Sequence, residues 1–229
     1  MNATVKKLTA TLTFLFCIHI AFAAEEDQRV RKAGQALNEI FSAGDGIPPD
    51  LLSKAACILI FPSVEKGAFG MGGSYGRGVM VCRSGPHHTG PWGSPALYAL
   101  EGHSIKFPGG RNMDFILLVM TPEAANRLLS STVKLGSQVS AAAGPLPITP
   151  GQASVATAEI LSYLRDRGTF TGISLAGSIL RSDSNADQKL YGKKKLTAKA
   201  IIVDGKVEVP PSAKGLVSLL NSKSPPNPS

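Results

Sequence analysis

Cysteine is scarce: Cys17, Cys57 and Cys82 are all that 229 residues contain, too few for a disulfide-stapled scaffold. Aromatic residues make up 6% of the chain and tryptophan occurs once, at Trp92, which leaves little to stack on nucleic-acid bases. The most apolar run, Leu8 to Phe22, is 15 residues, short of the roughly 20 that cross a bilayer. No internal repeat and no linker divides the chain, so one domain accounts for it. What is present is an ordinary globular balance, 43% hydrophobic and 17% charged, which excludes a wholly disordered polymer. Lysine and arginine number 24 against 16 acids, a net charge of +8.

Lys6 and Lys7 followed by that apolar run and by Ala21-Phe22-Ala23 form the pattern of a secretory signal peptide cleaved after Ala23. A membrane-anchoring helix is the alternative. Bulky Phe16 and Ile18 beside Cys17 speak against a lipid-modified cysteine. Removing 1–23 takes away Lys6 and Lys7 and leaves 206 residues with charge +6. The chain is therefore expected to be exported, periplasmic or secreted. There, Cys57 and Cys82 would form a disulfide or persist as two buried thiols.

Residues 25–42 carry Val30, Ala33, Leu37, Ile40 and Phe41 at helical spacing, with Arg29, Arg31, Lys32, Gln35 and Asn38 assigned to the other side. Pro48-Pro49-Asp50 opens a second short helix. Cys57–Phe61 reads as a buried strand stopped by Pro62, and Gly67–Arg83 as two glycine-rich strands meeting near Ser74-Tyr75-Gly76. Ala96–Ile105 and Met113–Met120 are further strands. Thr121-Pro122-Glu123 starts a helix, with a cap, a first-turn proline and an acid at the positive end. Val133–Val139 reads as extended and Ala141–Gly151 as a loop. Ala153–Arg165 and Thr169–Arg181 are expected to pair as long strands around Asp166-Arg167-Gly168, and Ala198–Val203 to be a strand. Ser212–Asn221 closes as a helix with Ala213, Leu216, Val217 and Leu220 on one side, before a disordered tail at 223–229. The fold class is α+β: a strongly curved antiparallel sheet approaching a barrel, with helices at the N-terminus, mid-chain and C-terminus of a single domain, 24–222. Abundant glycine fits that curvature.

Catalytic signals are weak. The glycines from Gly67 to Gly78 lie between strand-like segments with no G-K-[ST] to follow, so they read as turn and bulge glycines rather than a phosphate loop. His87-His88 lacks a third ligand at helical or hairpin spacing, so no metal site is expected. Ser104 beside His103 lies in no G-x-S-x-G frame. Asp114 and Glu159 stand alone in apolar strands and read as structural carboxylates. Neither a catalytic residue nor a cofactor is assigned. A hydrolase would need Asp114, Glu159 and His103 in one pocket. Positive charge is better organised: Lys193-Lys194-Lys195 follow Tyr191-Gly192, and Arg29, Arg31 and Lys32 share the first helix. Such clusters attract anionic surfaces, although a merely solvated basic face is the alternative.

Several blocks in order carry a family likeness: Ala56-Cys57-Ile58-Leu59-Ile60-Phe61-Pro62-Ser63-Val64, Gly73 to Arg83, Trp92-Gly93-Ser94-Pro95-Ala96, and Asp114 to Met120. Leu135-Gly136 leading to Ala142-Ala143-Gly144-Pro145 follows, then Ala158 to Tyr163, Arg167 to Gly177, Asp183, Asn185 and Tyr191-Gly192. Across about Ala33 to Val203 the chain resembles the SYLF domain family in its bacterial secreted form. That resemblance implies a non-enzymatic lipid-binding module, whose eukaryotic relatives bind phosphoinositides and membranes and take part in actin organisation. The part that transfers is attraction to an anionic phospholipid or membrane surface, with Arg29, Arg31, Lys32 and Lys193 to Lys195 as the candidate contacts. An envelope protein binding a protein or glycan partner is the rival expectation, and nucleic acid is not expected. Two departures bear on the ligand. Lys106-Phe107-Pro108-Gly109-Gly110 stands where the family has a Phe-Gln-Ile-Gly stretch, and Leu146-Pro147-Ile148 replaces its glycine-arginine.

Overall fold

A computed structural model describes residues 24–42, 46–66, 74–102, 112–130, 132–136, 140–142, 158–166, 169–173 and 175–226. Residues 1–23, His103, Ser104, both departure loops and the last three residues lie outside this set. Helix α1 spans residues 24–42, and α2 is Pro49–Lys54. Strands β1 (Cys57–Lys66), β2 (Ser74–Cys82), β3 (Ala96–Gly102) and β4 (Asn112–Val119) follow. Then come α3 (Pro122–Ser130), β5 (Val133–Lys134), β6 (Ser140–Ala142), β7 (Ile160–Asp166), β8 (Thr169–Gly172) and β9 (Ile179–Ser182). The chain ends in α4 (Ser184–Tyr191), α5 (Ala198–Ile202), a 3-10 turn at Pro211–Ala213 and α6 (Lys214–Lys223).

Among the described residues the strands form one curved sheet in the order β5-β9-β3-β2-β1-β4-β7-β6, with β8 paired to β7. It is antiparallel except for the parallel β6–β7 pair. Both faces are covered, which is why β1 and β4 read as unbroken apolar runs. Cys57, Leu59, Phe61, Tyr98, Phe115 and Leu117 pack on one face with α3 and α5. Ile58, Ile60, Val79, Leu97, Ile116 and Leu118 pack on the other with α1, α2 and α6. The apolar stripe of α1 belongs to that second core: Val30, Ala33, Leu37 and Ile40 are all buried.

Pro62 does not end β1. The strand runs on to Lys66 through a bulge, where the registers with β2 and β4 shift and Ser63 adopts a φ of 54°. A bulge frees one residue from the ladder and so tolerates proline. Nor does a turn lie at Ser74-Tyr75-Gly76, which sit inside β2 opposite Gly102, Glu101 and Leu100. Glycine is required there by crowding from the bulge. A Cβ at Gly76 would lie 2.7 Å from Val64 Cγ2, and one at Gly78 2.2 Å from the Ile60 carbonyl oxygen.

Three other expectations are corrected. The strand after β7 is short, and β9 pairs with β3 and β5 instead of extending the β7–β8 hairpin. Ala198–Ile202 is helical, because Thr197 Oγ1 caps it by accepting the Ala200 N–H. The tail is ordered as far as Pro226: buried Ser224 and the Pro225 carbonyl both accept from Arg83. No helix among the described residues is long and apolar enough to cross a membrane.

Candidate functional site

Helix α1 carries two kinds of cation. Arg31 and Lys32 are exposed, whereas Arg29 is 6% exposed and fully engaged. Its Nε donates to the Gly78 carbonyl at 2.9 Å and its Nη2 to the Tyr98 carbonyl, while Nη1 pairs with Asp183 at 3.1 Å and Glu26 at 3.4 Å. Arg29 is therefore an internal clamp between α1, β2, β3 and α4, not a surface cation. Glu26, also buried, is shared with Arg77 of β2. Positions 26, 29, 30, 33, 37 and 40 follow one helical stripe, and the polarity of 26 and 29 hid their place on it.

Lys193 to Lys195 occupy the segment between α4 and α5. Asp183 Oδ1 caps α4 through the Ala186 N–H, and Gly192, at φ 62°, ends it in the left-handed conformation. The signal that could have found α4 is a capping aspartate followed nine residues later by glycine. The turn that follows is pinned by Lys195 N donating to Gln188 Oε1 and by Lys193 Nζ donating to the Lys206 carbonyl. Lys193, Lys194, Lys195 and Lys199 are exposed. Close to them in sequence is Val203, 51% exposed.

Charge is sorted by residue type. Arginines take up several of the acids: Arg77 pairs Glu25 and Glu26, Arg165 pairs Asp114 and Glu39, Arg127 pairs Glu159, and Arg181 pairs Glu101. Lysine enters ion pairing at Lys206–Asp204, 3.3 Å apart. Lys193, Lys194, Lys195 and Lys199, all exposed, are not among these partners.

Catalytic candidates are dispersed. Asp114 and Glu159 flank opposite ends of the β4–β7 pair, about 20 Å apart along the strands, and each is held by its own arginine. Hollows open beside α1. One of about 310 Å³ lies near Lys32, Tyr75 and Arg77, and one of about 570 Å³ runs along α6 past Arg31 and Gly34. Glu25 also lines the first, so its charge is mixed.

Cys57 and Cys82 face one another across β1 and β2 and are bonded. His88 joins them from the following turn, a proximity that the sequence could not reveal because its donors come from two strands and a loop. Another group missed in the sequence is Asp187 of α4, which is fully buried. Its Oδ1 accepts the Leu97 N–H at 2.7 Å, and its Oδ2 has no partner among the described residues. Burial pushes its carboxyl up to about 7, with Asp183 and Glu26 adding to the rise and the Leu97 N–H and Arg29 opposing it. Since the unfolded value is near 3.8, the folded chain holds a proton that the unfolded chain has released between these limits. This contribution to stability is present below about pH 4 and is lost as pH rises through 7. Denaturant midpoints measured from pH 4 to 8 should show a downward component that Asp187→Asn abolishes.

The fold defines a class: an α+β domain whose curved sheet is covered by helices on both faces and clamped by a buried charge cluster. The chain belongs to the SYLF family, whose description Ysc84, Las17-binding protein actin regulator, matches over residues 107–223. It is 32% identical over 192 residues to Protein YSC84 of Saccharomyces cerevisiae, covering 81% of this chain and 40% of that protein. LAS seventeen-binding protein 3 of the same yeast matches to the same extent. SH3 domain-containing YSC84-like protein 1 of Xenopus laevis is 29% identical over 202 residues, 84% of this chain and 59% of the frog protein. The chain thus spans about half the length of these relatives.

Proposed function

We propose that this chain is a non-enzymatic module of the cell envelope, exported past its leader, that associates with anionic membrane surfaces. The supporting observation is the separation of charge: arginines pair Glu25, Glu26, Glu39, Glu101, Asp114, Glu159 and Asp183, while Lys193, Lys194, Lys195 and Lys199 face solvent on a segment held by Gln188 and Lys206. Arg31 and Lys32 on α1 add two outward cations, and Arg29 drops out of the set. Each basic side chain near an anionic bilayer contributes about 1 kcal/mol. Binding should therefore be strong at low salt and fade as the Debye length shrinks. Because α1 is docked by its apolar face, the association is electrostatic rather than by helix insertion.

Changing Lys193, Lys194 and Lys195 together to alanine is expected to weaken binding roughly 100-fold, from about 3 kcal/mol lost. The measurement is co-sedimentation with phosphatidylcholine vesicles with and without phosphatidylglycerol. Equal binding to both vesicle types, or to neither, would overturn the reading.

A second reading rests on the relatives. The family description and one of these relatives are named for binding Las17, so a protein partner for this chain is the alternative. Capture of a defined envelope protein without any vesicle binding would favour it.

A further inference from the structure

We propose that Cys57, Cys82 and His88 form, in the dithiol state, a three-coordinate site for a soft monovalent cation, with Cu+ as the matching ion. The donor atoms of the three residues all lie within 4.8 Å of one another, and all three residues are buried. The His88 ring has a fixed tautomer. Its Nδ1 sits 3.0 Å from the Arg83 carbonyl, which can only accept, so Nδ1 carries the proton and the lone pair is on Nε2. His88 is also held at a φ of 53°, in the left-handed region that side chains rarely adopt.

A second, independent observation concerns charge. Arg83, next to Cys82, is 1% exposed. Its guanidinium donates to the carbonyls of Ala55, Gly90, Ser224 and Pro225 and to Ser224 Oγ, and it lies over the Trp92 ring at 4.5 Å. All of these partners are neutral. A buried cation without an anion is costly, and among the described residues no carboxylate pairs with Arg83 when the two sulfurs are joined. Two thiolates and one imidazole around Cu+ carry a net charge of −1, the complement of Arg83. Thiolate donors select soft ions. A divalent ion such as Zn²⁺ would leave the centre neutral and would require a fourth donor, which the cluster among the described residues does not supply.

The disulfide and the metal site are mutually exclusive states of the same sulfurs. A dithiol reductant delivers two electrons and two protons to the Cys57–Cys82 bond and leaves as its own disulfide. Cu+ then displaces both thiol protons to solvent and accepts the Nε2 lone pair. The approach is through the turn bearing His88, whose residues Ser84 to His87 are exposed.

The test uses the full chain carrying Cys17→Ser, reduced with a phosphine, freed of reductant without air, and titrated with Cu+ against a chromophoric Cu+ chelator. The expected result is one Cu+ per reduced chain, none for the disulfide form, and at least tenfold weaker binding for His88→Ala, with His87→Ala unchanged. Circular dichroism of His88→Ala in its disulfide form separates loss of a ligand from loss of fold. Absence of a stoichiometric Cu+ complex would overturn the proposal. So would equal affinity with and without His88, or a reduced chain that unfolds and is not restored by Cu+.

Discussion

Gly78→Ala is expected to destabilise the domain by about 3 kcal/mol, the upper part of the range for overpacking a closed core. The added methyl would meet the Ile60 carbonyl oxygen at 2.2 Å and Phe61 Cδ1 at 2.6 Å. The first is backbone held between β2 and β4, and the second belongs to a ring that is fully buried. Neither can move aside without disturbing the bulge that follows Phe61. Gly215→Ala makes the control. Nothing lies within 4 Å of its Cβ position, and alanine favours a helix by roughly 0.5–1 kcal/mol over glycine. Urea midpoints should therefore fall for the first variant and rise slightly for the second. Equal midpoints for the two would show that the sheet is not locked at this crossing.

The second large effect is expected from Arg29→Ala, a loss of about 3–5 kcal/mol, as for breaking one side of a buried charge pair. The substitution leaves Glu26 and Asp183 short of a cation and strips the Gly78 and Tyr98 carbonyls of their donor. Arg29→Lys should recover little of this, since one ammonium cannot reach partners spread over α1, β2, β3 and α4. Arg31→Ala, two residues on but exposed, should stay within about 0.5 kcal/mol of the parent chain. The pair of measurements divides structural from surface cations on a single helix. If Arg29→Ala left stability unchanged but weakened vesicle binding, the clamp assignment would be wrong.

Much of the core was legible because its signals are local. The 3.6-residue stripe of α1, the unbroken Ile58–Phe61 and Phe115–Val119 runs, the Thr121-Pro122-Glu123 start of α3 and the apolar face of α6 all appear as elements where the pattern placed them. Errors arose where a local rule met a tertiary one. Pro62 stops an ideal strand but fits a bulge. The Ala198–Val203 run has the side chains of a strand, yet the Thr197 cap and the packing of Ala198, Ala200 and Ile201 on one face make it helical. Glycines that looked like a turn are spacers under Val64 and Phe61.

The candidate site divides along the same line. That Lys193 to Lys195 form an outward basic run is a property of composition and of the turn after Gly192, and the sequence alone sufficed for it. That Arg29 lies inside, that Asp187 holds its proton near neutrality, and that His88 meets Cys57 and Cys82 were decided only by the tertiary structure. Each depends on residues far apart in the chain, Arg29 with Asp183 or Asp187 with Leu97, brought into a medium from which water is excluded. Charge and periodicity are carried by neighbours in sequence and can be read there. Desolvation is set by whatever packs against a group in three dimensions, and so it belongs to the fold.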